Sequence, residues 1–248
     1  MKNRNLSQEG LKLIATVTML IDHVGMVLVY EWACLAIDRR SIYAEELCVL
    51  YDWMRLIGRI AFPIYCFMLV EGAHHTASLK KYRVRLLVGA LLAEIPFDLA
   101  VTGRPVDFGY TSVMVTLFLG LLMIESMQKT PGLRKLLWIL PFYLLAELLQ
   151  TDYAGHGMLL IAMLELTRAH EKERLLRLIG FSVLLWFGLE IPVGPFMVPM
   201  ELFGILSMVP MYCYSGRKVT RSKGVQWAFY LFYPVHLLVL WALKCILF

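Results

Sequence analysis

Asp22 and His23 stand side by side inside an apolar run, LKLIATVTMLIDHVGMVLVY at residues 11–30. That run has the length a membrane-crossing helix needs, roughly 20 residues for a hydrocarbon core of ~30 Å. Charge is costly at such depth, so an ionisable pair there is read first as a functional site. A carboxylate beside an imidazole suits general-base work, because it can fix the ring's tautomer and stabilise the imidazolium that forms. The chain has no GxSxG elbow, no HExxH and no serine or cysteine nucleophile near the pair. Its carboxylates lack metal-ligand spacing, so no metal is expected. A direct transfer is then natural: His23 deprotonates an acceptor amine or hydroxyl, which attacks an activated acyl group.

The elements that must position these groups are apolar helices. Of 248 residues, 59% are hydrophobic and 17% charged, and the mean hydropathy is +0.66, far above a soluble average. Nine apolar stretches follow one another: 11–30, 54–73, 82–101, 112–127, 133–149, 154–167, 175–191, 199–214 and 226–247. The segment 42–53, IYAEELCVLYDW, is amphipathic and acidic, and reads as an interfacial helix. The amino-terminal run resembles a signal peptide, but Asp22 and His23 interrupt it and no small-residue cleavage site follows, so it is kept as the first span. Basic-rich connections alternate with basic-poor ones along the chain. The positive-inside rule then predicts a cytoplasmic N-terminus and an outside C-terminus. The formal net charge of +5 is in this reading a topology signal, and no nucleic-acid surface is expected. Cys34, Cys48, Cys66, Cys213 and Cys245 are scattered and read as packing residues. The expected fold is an all-α polytopic membrane bundle of about nine transmembrane helices, a single domain over 1–248.

With that orientation, ~1.5 Å of rise per residue converts position into depth. Asp22 and His23 fall just beyond the midplane. Arg55 and Arg59, four residues apart, share a helix face, as do Glu94 and Asp98 on either side of Pro96. Tyr233 and His236 lie near mid-depth in YLFYPVHLL. The convergence predicts a polar cavity in the outer half, with the arginines paired to Glu94, Asp98 or Asp22. A second group, Lys12, Lys80, Lys81, Arg83 and Arg85, falls at the inner edge beside Glu71, His74 and His75. These cations either bind a phosphorylated ligand or anchor the chain at lipid headgroups. Bland readings stand beside the sharp ones: Arg59 with Asp98 as a structural ion pair, His236 as a satisfied core histidine, His156 as a surface residue. Two histidines at one depth in separate spans favour a catalytic or proton-handling site.

Five stretches are similar to the TraX family of pilin-acetylating membrane proteins: LKLIATVTMLIDHVG at 11–25, RLIGRIAFPIYCFMLVEGAHHT at 55–76, KYRVRLLVGALLAEIPFDLA at 81–100, TDYAGHGMLLI at 151–161 and YLFYPVHLLVLW at 230–241. That family in turn resembles the wider transmembrane acyltransferase superfamily, many of whose members carry an arginine, ten residues, then a catalytic histidine on the first span. Lys12, ten residues and His23 fit that spacing, with lysine in place of arginine. The resemblance therefore implies His23 as the catalytic histidine. Arg83 and Arg85 resemble the superfamily's paired arginines on the third span, though their spacing departs from its usual form. YLFYPVH is similar to its Tyr- and His-bearing last span.

The resulting expectation is a bacterial cytoplasmic-membrane acyltransferase using acetyl-CoA. His23 is the base, Asp22 orients it, and Arg55 or Arg59 stabilises the oxyanion or orients the acceptor. Lys12, Arg83 and Arg85 meet the acetyl-CoA phosphates, while Glu94, Asp98, Tyr233 and His236 line the acceptor side. The resemblance implies a pilin amino terminus as acceptor; a hydroxyl of an envelope glycan or lipid is the alternative. A proton-coupled transporter and a non-catalytic scaffold for surface fibres are the readings from other classes.

Overall fold

A computed structural model describes residues 5–107, 109–168, 190–193, 196–219 and 222–248. The chain separates into two compact units, Met1–Ile64 with Ile179–Phe248, and Tyr65–Leu178. The first unit is thus assembled from both ends of the chain and the second from its middle.

In the first unit, α1 spans Gln8–Val24. Ser7 caps it by accepting from the Gly10 N–H at 3.1 Å, and Glu9 adds favourable charge to the first turn. Leu11, Ala15, Met19 and His23 are buried at four-residue intervals, which explains how His23 comes to face inward. A π-helical turn, Gly25–Val29, joins α1 to α2, Tyr30–Asp38, so the helix runs unbroken through 31 residues. The apolar run ends at Tyr30 because Glu31 and Asp38 follow, but the helix does not end with it.

The helix α3 covers Ala44–Gly58 and α4 covers Ala61–His75. Pro63 has no N–H to offer the carbonyl of Arg59 four residues back, and the ladder breaks at Arg59–Ile60. Of the segment 42–53, the residues from Ala44 onward are helical as expected and form the first part of α3, packed against α1 and α2. After a short antiparallel hairpin, β1 Glu190–Val193 with β2 Phe196–Pro199, a tight 3-10 segment Met200–Ser207 packs Met200 and Phe203 on Leu56. It leads into α9, Met208–Cys213, and finally α10, Lys223–Leu247.

Residues 213–219 hold the chain's start. Leu6 N–H donates to the Cys213 carbonyl at 3.0 Å, Ser215 N–H to Leu6 at 2.9 Å and Gln8 N–H to Arg217 at 2.9 Å. From there α1 and α10 run side by side in the same direction. Lys12 Nζ lies 5.3 Å from the Phe229 ring centre, His23 meets His236, and Glu31 pairs with Lys244 at 2.5 Å. Three contacts in step along both helices fix the direction.

The second unit contains α5, Leu79–Thr102, α6, Val113–Lys129, a 3-10 segment Gly132–Trp138, α7, Ile139–Leu148, and α8, Ala154–Leu166. Its α5 is capped by Ser78 and ends at Gly103, whose left-handed φ of 73° suits a residue without a Cβ. Leu86, Ala90, Ala93, Phe97 and Ala100 form the buried face of α5. Its opposite face, Val84, Leu87, Val88, Leu91 and Ile95, is apolar yet exposed. Gly120 on α6 lets Ile161 of α8 and Leu69 approach closely, around a core of Leu121, Met123, Ile124, Met158 and Leu164.

The helical class holds, with the small hairpin its one departure among the described residues. The count of nine spans does not carry over. Three helices there are long and apolar enough to cross a membrane: Gln8–Asp38, Ala44–His75 and Trp227–Leu247. Ala154–Leu166 and Met200–Cys213 are shorter apolar helices. The stretch 82–101 became α5, where Lys80, Lys81, Arg83, Arg85, Glu94 and Asp98 load the helix with charge. The stretch 133–149 is divided between the 3-10 segment and α7. The stretch 175–191 lies outside the described residues except for Glu190 and Ile191, which belong to the hairpin.

Candidate functional site

His23 and His236 are bonded to each other. Both are buried, 7% and 6% exposed, and His23 Nδ1 lies 2.6 Å from His236 Nε2. Their ring planes differ by 15° with centroids 4.9 Å apart. Two rings stacked face to face could not bring nitrogens so close, so the imidazoles lie nearly end to end, as an N–H pointing at a ring lone pair requires. His236 Nδ1 is 2.7 Å from the Phe232 carbonyl on its own helix. Tyr233 stands edge-on to both rings, 5.9 Å from His23 and 5.6 Å from His236. Burial on α1 and the step-by-step pairing with α10 are what bring these three sequence-predicted residues together.

Asp22 points elsewhere. Its carboxylate receives Arg55 at 2.8 Å and Arg59 at 3.4 Å, and these side chains are only 11–16% exposed. Adjacent residues on a helix project about 100° apart, so Asp22 turns to α3 while His23 turns to α10. The expected role of Asp22 in orienting His23 is therefore corrected: the bonded partner of His23 is His236. Of the three carboxylates expected to pair with Arg55 and Arg59, namely Glu94, Asp98 and Asp22, it is Asp22 that receives both. Both arginines engage Asp22, and the group has one positive charge in excess of its carboxylate.

Gly58 makes this possible. A Cβ there would land on the Asp22 carboxylate and its Cβ, so only glycine lets α1 and α3 close at this level. No sequence signal announced it beyond its position between the two arginines. Gly25, opening the π-turn, admits Met54 in the same way. Helix irregularity surrounds the histidines: the π-turn begins two residues after His23, α3 breaks at Arg59, and Pro234 lies within α10.

The other predicted residues have partners of their own. Within the second unit, the Glu94 carboxylate accepts from Ser112 Oγ at 2.5 Å and from Ser112 N–H at 3.1 Å. Asp98 accepts from the Asp107 N–H at 2.9 Å through one oxygen; the other is buried and meets no hydrogen-bond partner among the described residues. Arg83 pairs with Glu125 at 3.1 Å, and Arg85 lies over the Tyr82 ring at 5.7 Å. Near them in sequence, Glu71 binds Arg168 at 3.0 Å and His74 binds Glu165 at 2.9 Å. In the first unit Lys12 sits over Phe229. His156 is exposed, edge-on to Tyr143. Among the described residues no three histidine, cysteine or acidic side chains are grouped so as to hold a metal ion.

The TraX protein family model matches residues 7–244, nearly the whole chain. This chain belongs to the TraX family. A relative from Dichelobacter nodosus, described as a probable fimbrial assembly protein FimC of serogroup H1, is 27% identical, with 99% of each chain covered. No solved structure matches. The family assignment and the long apolar helices together make this a membrane protein, and the five stretches similar to TraX include those that supply His23, Arg55, Arg59 and His236.

Proposed function

We propose that the protein is a multi-pass acyltransferase of the bacterial cytoplasmic membrane that moves an acetyl group from acetyl-CoA to an acceptor on the outer side. The observation that carries this reading is the buried, mutually bonded His23–His236 pair on two helices long and apolar enough to cross the membrane. Such a pair can take up and return a proton where water is excluded. The first acceptor to consider is the amino terminus of a pilin, supported by family membership and by the fimbrial-assembly name of the relative.

In this reading His23 removes a proton from the acceptor amine as its nitrogen bonds to the thioester carbonyl carbon. The excess positive charge of the Arg55–Asp22–Arg59 group stabilises the resulting oxyanion. The intermediate collapses by breaking the carbon–sulfur bond, and the CoA thiolate takes the proton back from His23. Lys12, Arg83 and Arg85, each near the start of its helix, are the proposed cations for the CoA phosphates; Glu94 and Asp98 are proposed on the acceptor side. A cytoplasmic N-terminus and an outside C-terminus require an odd number of crossings, and the parallel course of α1 and α10 supports that. The exposed apolar face of α5 supports further crossings beyond the three clear ones.

The test is acetyl-CoA turnover by purified protein in nanodiscs with a pilin amino-terminal peptide. His23→Ala should abolish CoA release while the protein stays inserted and folded. Undiminished turnover in that variant would remove His23 from the mechanism. Substrate flux without acetyl-CoA binding would replace the enzyme by a proton-coupled transporter.

A further inference from the structure

We infer that His236 is a positioning residue that fixes the tautomer of His23, so that the Nε2 of His23 is the atom that takes the acceptor's proton. The inference rests on the acyl-transfer reading above and deepens it. A backbone carbonyl can only accept a hydrogen bond. The 2.7 Å contact between His236 Nδ1 and the Phe232 carbonyl therefore puts a hydrogen on that nitrogen. In a neutral His236 the other nitrogen, Nε2, is then a bare acceptor. It lies 2.6 Å from His23 Nδ1, and the hydrogen between them belongs to His23. With Nδ1 carrying its hydrogen, neutral His23 presents the lone pair of Nε2. A helix carbonyl thus sets the direction of the base through an intervening imidazole, the job usually done by a carboxylate. Asp22, the carboxylate at hand, is occupied with Arg55 and Arg59.

The arrangement also handles the charge that catalysis creates. When His23 Nε2 binds the acceptor's proton, the ring becomes an imidazolium whose Nδ1–H already points at His236 Nε2. The hydrogen can shift along that bond, leaving His23 neutral and His236 cationic, still anchored on the Phe232 carbonyl. It returns when the CoA thiolate removes the proton from His23 Nε2. No atom is gained or lost beyond the exchange of the acyl group for the proton.

Two variants and two readouts test this. His236→Phe keeps a ring of similar size but has no acceptor; His236→Gln keeps an acceptor through its amide oxygen. Selective ¹⁵N-histidine labelling reports the tautomer directly, with the His23→Ala spectrum identifying the His23 signals among the six histidines. Wild type should show the Nδ1–H tautomer at His23, and His236→Phe should show the Nε2–H form, the one free imidazoles prefer. In acetyl transfer, His236→Phe should lower kcat by about a hundredfold with KM little changed, on the scale of losing a positioned base. His236→Gln should recover most of it. An Nε2–H tautomer at His23 in wild type, or one unchanged by His236→Phe, would overturn the inference. So would full kcat in His236→Phe. The NMR readout needs no turnover, so failure of the wild type to release CoA would count against the acyltransferase reading and leave the tautomer result standing.

Discussion

Replacing Gly58 by alanine reverses an ordinary rule. At the end of a helix with ordinary φ, as here, glycine-to-alanine normally stabilises by about 0.5–1 kcal/mol, because the unfolded chain loses freedom. At Gly58 the added methyl meets the Cβ, Cγ and Oδ1 of Asp22. Rotating the carboxylate does not clear its own Cβ, so α1 must retreat from α3, an overpacking cost of about 1–3 kcal/mol. The 2.8 Å pair with Arg55 is lost with it, and for such partly exposed ions that adds about 1 kcal/mol. Set against the alanine gain, the net loss is about 2 kcal/mol. At ~2–4 °C per kcal/mol for a chain of this size, the melting midpoint in detergent should fall by roughly 4–8 °C. Thermal unfolding of the purified variant beside wild type measures it. A midpoint that rises would refute the close α1–α3 approach and, with it, the placement of Asp22 between the two arginines.

Removing the Oγ of fully buried Ser112 by Ser112→Ala should cost about 1–3 kcal/mol, because the Glu94 carboxylate loses its shortest bond; the same melting assay checks it. Replacing Arg83 and Arg85 together by alanine should raise KM for acetyl-CoA with little change in kcat; steady-state kinetics with the peptide acceptor decide, and an unchanged KM returns both arginines to the role of topology anchors. In a variant keeping Cys245 as its sole cysteine, an impermeant maleimide should label this exposed residue from outside in intact cells. Labelling only after permeabilisation would place the C-terminus in the cytoplasm.

Much of this was legible in the sequence. Apolar runs of the right length announced helices, and two histidines at one depth in separate spans pointed to a catalytic or proton-handling site, though not to a bond between them. What could not be read was which neighbour each ionisable group would choose. Asp22 and His23 are adjacent in the chain and therefore point apart on the helix, a fact that favours other partners over each other. That Asp22 receives Arg55 and Arg59 depends on the close approach at Gly58, and a glycine's permission for contact leaves no periodic trace. Helix ends do not follow the charge pattern. Glu31 closes an apolar run without ending a helix, and the acids of 42–53 lie on a helix that continues to Gly58.

Helix irregularities lie close to the site. In a lipid environment a backbone group freed from its helix must find a partner inside the protein, so irregular helix segments are tolerated where they face protein rather than acyl chains. The π-turn after His23, the break at Arg59 and Pro234 all fall beside the histidines and the Asp22 group. The Phe232 carbonyl that holds His236 is not one that Pro234 frees, since the missing proline N–H faces the Tyr230 carbonyl four residues back; it belongs to the regular turn that carries His236. A helix carbonyl on α10 and the in-step packing of α1 against α10 are what hold two imidazoles in a defined order in this apolar bundle.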